Sequence, residues 1–251
     1  YTKKIQQRLV TMITGGASAL GRATAENLIK QGSRVVICDL PNTNVSKFAK
    51  KLGDSALFVP LDVTSEKEVL NALQVTKDKF GKLDVSINCA GMALANQINF
   101  KKKDPFDHEL LGRVIDIDVV GTFNVVRLAA GLIGKNIPDE DQLRGLIINV
   151  ASPAAFEGES GWDAYIACRA AIGNITLPIA RDFGNQGIRV MSIIPEVFRI
   201  KENLKEPTEE VFPSGKNYPK DFAFVIDAII ENPMMNADVI RLDQYYEQSL
   251  F

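Results

Sequence analysis

The chain predicts a doubly wound α/β fold on a seven-stranded parallel sheet, with helices on both faces. Three observations predict it. Short β-branched runs alternate with segments of helical period along the chain, and strand–helix–strand alternation implies right-handed crossovers between parallel strands. The runs are apolar nearly throughout rather than alternating, as strands covered on both faces must be. A glycine-rich turn, Thr14-Gly-Gly-Ala-Ser-Ala-Leu-Gly21, follows the first run and opens the first helical segment.

The elements follow in order. Leu9–Thr14 is an apolar run that stops at the glycines, and Ala19–Gln31 has helical spacing. Arg34–Asp39 reads as the second strand and Asn44–Leu52 as a helix. Ala56–Pro60 is the third strand, and Ser65–Phe80 is the helix behind it. Asp84–Asn88 is the fourth strand, followed by one long helical segment over Pro105–Gly134. Gly145–Val150 is the fifth strand and Gly161–Phe183 the next helix. Ile188–Ile194 is the sixth strand, Pro219–Glu231 a helix opened by proline, and Val239–Asp243 the last strand. No linker or low-complexity tract interrupts residues 1–251, so a single domain is expected. One stretch is irregular: Arg199–Glu210 holds seven charged residues and runs into Pro213-Ser-Gly215.

Composition narrows the function classes. Apolar residues make up 46% and charged residues 24% of the 251, the balance of a globular protein with a sizeable core. Net charge is −2 and the pI about 5.6, so no direct nucleic-acid binding is expected. No apolar run reaches the length of a membrane span, and no membrane partner is expected. Cys38, Cys89 and Cys168 are few, odd in number and set in apolar segments. They read as reduced, buried thiols of a soluble intracellular protein rather than a disulfide framework. His108 is the sole histidine, which argues against a histidine triad and against any metal site. Lys3, Lys4 and Arg8 read as an exposed basic terminus, with a targeting remnant as the less common explanation.

The glycine-rich turn points to a ligand. Gly15 and Gly21 would let the backbone approach a pyrophosphate, and the helix start around Ser18 and Leu20 would add N–H donors and a favourable dipole. Asp39 ends the second strand eighteen residues after Gly21. An acid there accepts hydrogen bonds from ribose hydroxyls and repels a 2′-phosphate, favouring NAD over NADP. Asp62 and Val63 end the third strand, where the adenine would lie, and Cys89, Ala90 and Gly91 follow the fourth. Any tight strand–helix turn wants glycine, but turn, strand, helix and acid together predict a Rossmann-type domain that binds NAD.

Tyr165 lies thirteen residues after Ser152 and four before Arg169. With Thr14-Gly15…Gly21 and Asn88-Cys-Ala-Gly91, these residues resemble the short-chain dehydrogenase/reductase family over nearly the whole chain. Asp39-Leu-Pro, Asp62-Val-Thr-Ser-Glu-Lys, Gly121-Thr-Phe-Asn and Leu177-Pro-Ile-Ala-Arg-Asp are similar to its mitochondrial 3-hydroxyacyl-CoA and hydroxysteroid dehydrogenase branch. That resemblance implies NAD, with Tyr165 and Arg169 also at the nicotinamide ribose. It implies a small-molecule substrate of the acyl-CoA or steroid class and a mitochondrial location. It further implies a homotetramer, for which the long helices around residues 105–134 and 161–183 are the expected interfaces. In animals it implies a protein partner as well, in a non-catalytic scaffold role beside a tRNA methyltransferase in mitochondrial RNA processing.

The resemblance also implies a mechanism. A tyrosine oxyanion is the base, and an unperturbed tyrosine, pKa about 10, is too weakly acidic to supply it. A lysine one helical turn on supplies charge and holds the nicotinamide ribose. A serine orients the substrate oxygen, and an asparagine on the preceding long helix binds a water. By matched position the four are Tyr165, Arg169, Ser152 and Asp118.

Two of the four depart from the family. Arg169 keeps the charge, but a planar fork cannot occupy a lysine's compact position without displacing something. Asp118 replaces a neutral amide by a carboxylate, and an Asp118–Arg169 ion pair would draw the cation from Tyr165. Ala19 stands where the family has a second glycine, Glu196 adds bulk and negative charge beneath the nicotinamide, and Ile200 falls where a threonine would hold the carboxamide. Trp162 is expected to pack against a neighbouring loop. Two function classes therefore stay open. One is an NAD-dependent oxidoreductase with weak hydride transfer. The other is a scaffold or binding protein of the same fold, a pseudoenzyme.

Overall fold

The structure, a computed structural model, describes residues 9–41, 44–95, 98, 107–158, 160–195 and 218–242. Seven strands form one sheet: β1 (Val10–Thr14), β2 (Arg34–Asp39), β3 (Ala56–Pro60), β4 (Val85–Asn88), β5 (Gly145–Val150), β6 (Ile188–Pro195) and β7 (Val239–Leu242). Their order is β3-β2-β1-β4-β5-β6-β7 and every pairing is parallel. The order reverses between β1 and β4. In such sheets ligands bind at that reversal, beyond the carboxyl ends of the strands.

Among the described residues, eight α-helices flank the sheet: α1 (Ala19–Lys30), α2 (Val45–Lys51), α3 (Glu66–Phe80), α4 (His108–Ile115), α5 (Thr122–Ile133), α6 (Ala154–Glu157), α7 (Asp163–Gly184) and α8 (Pro219–Glu231). On one face Leu28, Phe48 and Phe222 from α1, α2 and α8 pack on Ile13, Val35, Ile148 and Ile193. On the other, Leu73, Val125 and Ile179 from α3, α5 and α7 pack on Met12, Val36, Ile147 and Val190. Alternate residues of each strand thus serve opposite faces, which is why the strands read as unbroken apolar runs. Fully burying one such side chain stabilises by about 1.5–3 kcal/mol.

Local chemistry sets the helix ends. Ser18 caps α1 by accepting from the Gly21 N–H at 3.0 Å, Asp107 caps α4 by accepting from Glu109 and Leu110, and Gly81, at φ 85°, closes α3 in the left-handed region. The end of α8 is held from the sheet. Arg189, buried in β6, donates to the carbonyls of Ile229, Ile230, Asn232 and Met235. A cation suits a helix C-terminus, and burial lowers its pKa only to about 10, so it stays charged near neutrality.

Two expectations are refined. The expected helical segment 105–134 is helical without a break over residues 108–133, but a π-helical turn, Asp116–Gly121, interrupts its α-helical period between α4 and α5. The wider turn carries Asp118 into the interior, fully buried, and sets Gly121 against Val63, where a Cβ would fall 2.5 Å from Val63 Cγ2. Such insertions are frequent at functional sites. The four-residue α6 was not expected; it is too short to show a helical period. Residues 105–106, Asp243 and the charged segment 199–217 lie outside the described residues.

Candidate active site

The carboxyl ends of the central strands bring most of the expected residues to one edge. β1 runs into Gly15 at φ 66°. A Cβ there would lie 2.6 Å from the backbone of Cys89 and Ala90, and a Cβ on Gly21 would lie 2.6 Å from the Gly15 carbonyl. Both glycines are thus required by the protein's own packing. The Cys89 N–H donates to the Thr14 carbonyl at 3.1 Å, which places Cys89, Ala90 and Gly91 beside the turn.

The acids of this half are engaged. Asp39 accepts from the Ala17 N–H at 2.7 Å and from the Leu40 N–H at 2.8 Å, so it braces the glycine-rich turn. A carboxylate has about four acceptor positions, and these bonds use two. Asp62 accepts from the N–H and hydroxyl of Thr64. Val63 is buried, and its carbonyl accepts from Asn124 Nδ2 at 2.9 Å. Arg127 in turn donates to Asn124 and pairs with Glu66 at 2.5 Å. Ser18 is taken up as the cap of α1, and Leu20 packs against the α1 side of the core.

Arg169 organises the other half. It points inward from α7 and is 6% exposed. Nη1 donates to the Val150 carbonyl at 2.8 Å. Nε lies 3.2 Å from Asp118 Oδ2, an ion-pair distance, although neither atom makes an aligned hydrogen bond. Nη2 packs against Gly91 so closely that a Cβ there would collide with it. Cζ stands over the Tyr165 ring, 5.2 Å from its centroid, so the contact with Tyr165 is through the ring face. Asp118 Oδ1 accepts from the Met92 N–H at 2.6 Å. One guanidinium therefore ties together the segment after β4, the end of β5, the π-helical turn and α7.

Burial pushes the Asp118 carboxyl up, opposed by Arg169 and the Met92 amide. It pushes the Cys168 thiol up as well, reinforced by Asp118, and the Cys89 thiol up to about 12. Ser152, at the end of β5, accepts from the Ala154 N–H at 3.3 Å. Tyr165 is half-buried, with the Trp162 ring edge-on to it at 5.6 Å. Trp162, expected to pack against a neighbouring loop, packs on Tyr165. Glu196 and Ile200 lie outside the described residues.

The expected Asp118–Arg169 pair is present. Its other partners, the Met92 N–H and the Val150 carbonyl, had not been foreseen. They are backbone groups, which every residue carries, so no residue type could have flagged them. Arg189 did carry a signal, a lone cation in the apolar run Ile188-Arg-Val-Met191. A cavity of about 600 Å³ opens at the opposite edge of the sheet, lined by Lys82, Asp84, Asn136, Arg144 and Arg189. Its polar groups bond one another, Lys82 to Asp84 at 3.0 Å and Asn136 to the Leu83 and Arg144 carbonyls. The assembled hydroxyls and charges lie at the other edge.

Residues 9–210 match the short chain dehydrogenase family. The 3-hydroxyacyl-CoA dehydrogenase type-2 of Drosophila melanogaster is 50% identical over 244 residues, covering 93% of this chain and 95% of that protein. The Homo sapiens protein of that name is also 50% identical, covering 94% of each. The crystal structure of 3-hydroxyacyl-CoA dehydrogenase type-2 from Mycobacterium avium superposes with a TM-score of 0.88 at 32% identity, covering 99% of this chain and 100% of that one.

Proposed function

The chain belongs to the short chain dehydrogenase family, and from that premise we propose that it is an NAD-dependent oxidoreductase of the 3-hydroxyacyl-CoA or hydroxysteroid type whose hydride transfer is weak. The substrate class is supported by likeness to relatives that are half identical over nearly their whole length. Preference for NAD is supported by the carboxylate of Asp39 at the end of β2, which would repel a 2′-phosphate. When bound, the cofactor supplies the hydride carrier. The protein's own tasks are to bind, to orient and to move a proton.

Ser152 and Tyr165 are the hydroxyls proposed to meet the substrate oxygen, with Tyr165 Oη giving or taking the proton. The observation that carries the reading is the state of Arg169. Its charge is offset by Asp118 at 3.2 Å, and it faces the ring of Tyr165. General acid–base assistance contributes about 10²–10⁴-fold when the group is well placed, and this arrangement forfeits part of it. The same pair favours a second reading, a scaffold or binding protein in which hydride transfer is lost.

A homotetramer belongs to the proposal. Its support is a set of exposed apolar side chains, Ile115, Val120, Phe123 and Leu177, on α4, the π-helical turn, α5 and α7. A mitochondrial location is proposed on likeness to that branch of the family. The test is steady-state reduction of acetoacetyl-CoA by NADH. Slow but measurable turnover supports the first reading, NADH binding without turnover supports the second, and brisk turnover overturns both.

A further inference from the structure

The two halves of the nucleotide site do not match, and we infer that this site takes the adenosine diphosphate portion of a nucleotide alone, so that ADP-ribose binds as well as the whole dinucleotide. The inference rests on the proposed reading for the location of the site and goes beyond it in naming the ligand class. On the adenosine side Asp39 keeps acceptor positions in reserve beside the turn, and the cation bonded to the turn, Arg22, holds the Ala17 carbonyl with its Nε at 2.9 Å. That side fits a ribosyl diphosphate.

The nicotinamide side is filled from within. A cation that is to hold the second ribose must offer it an N–H. Arg169 donates from Nη1 to the Val150 carbonyl, sets Nε beside Asp118 without an aligned hydrogen bond and packs Nη2 against Gly91; at 6% exposure its remaining N–H groups face the protein interior. Turning it outward would leave the Asp118 carboxylate, fully buried, without its counter-charge, which is strongly unfavourable. The Val150 carbonyl would also lose its donor. Arg169 is therefore withheld from the nicotinamide riboside, and that half of a dinucleotide loses the cation's contacts that would offset its own ordering.

Calorimetric titration of the full chain with ADP-ribose, NADH and NADPH tests this, with nicotinamide fluorescence followed in the NADH arm. The expected result is Kd values for ADP-ribose and NADH within about threefold of each other, NADPH weaker, and nicotinamide emission as in free solution. In the Arg169→Lys, Asp118→Asn double variant, NADH should gain at least about tenfold over ADP-ribose. Wild-type NADH binding tenfold or more tighter than ADP-ribose, with blue-shifted emission, overturns the inference. So does an absence of ADP-ribose binding. The acetoacetyl-CoA assay distinguishes the failures: tight, blue-shifted NADH with slow turnover sinks the inference and spares the proposed function, whereas equal affinities with brisk turnover do the reverse.

Discussion

At the scale of the residue, Arg169 and Asp118 act as one unit. Arg169→Lys alone presents a compact ammonium to a buried carboxylate that would capture it. Asp118→Asn alone leaves the fork bonded to the Val150 carbonyl and packed on Gly91. Only the double change puts a point charge near Tyr165 with a neutral amide behind it. The double variant should therefore raise kcat for acetoacetyl-CoA reduction by about tenfold or more, beyond the product of the single effects. Strict multiplicativity of the two singles would mean that they do not communicate. The pair was legible because two charges stand where the family has a lysine and an asparagine.

At the scale of the element, the strands were legible because burial on both faces leaves a continuous apolar run, and all seven overlap the expected segments. The π-helical turn was not. Asp116-Ile-Asp-Val-Val-Gly121 holds only residues of modest or low helix propensity, which does not specify a π-helical turn, and the extra residue in its turn is accommodated by tertiary contacts, Gly121 on Val63 and Asp118 on Arg169. Two elements carry measurable consequences. Arg189→Met would remove the guanidinium from four carbonyls around the end of α8, of which Asn232's keeps the Met235 N–H. Unfolding should become easier by about 3 kcal/mol, a fall in Tm of roughly 6–12 °C, read by circular dichroism. In β2, burial, with Asp39 adding to it, pushes the Cys38 thiol from 9.0 up to about 12. The folded chain then holds this proton more tightly than the unfolded chain. The stability it contributes is complete below pH 9 and is lost as pH rises towards 12, at about 1.4 kcal/mol per pH unit. Urea midpoints at rising alkaline pH should fall less steeply in Cys38→Ala than in the parent, and equal slopes would exclude Cys38 as the cause.

At the scale of the whole molecule, the strand order draws segments remote in sequence to one edge and leaves Ile115, Phe123 and Leu177 exposed on α4, α5 and α7. Phe123→Glu with Leu177→Lys should shift the sedimentation coefficient from that of the proposed tetramer towards smaller species while the far-ultraviolet dichroism is retained. An unchanged coefficient would place the contacts elsewhere. The knot of four segments around Arg169 also has a consequence in time. The amide hydrogen of Met92 is held by Asp118, so it can be traded for deuterium only when that knot comes apart, and its exchange rate becomes a clock for the opening. Asp118→Ala should speed the clock by about 100-fold or more while amides in β2 keep their pace. The read-out needs neither substrate nor nucleotide, and it reports how firmly the protein grips its own arginine.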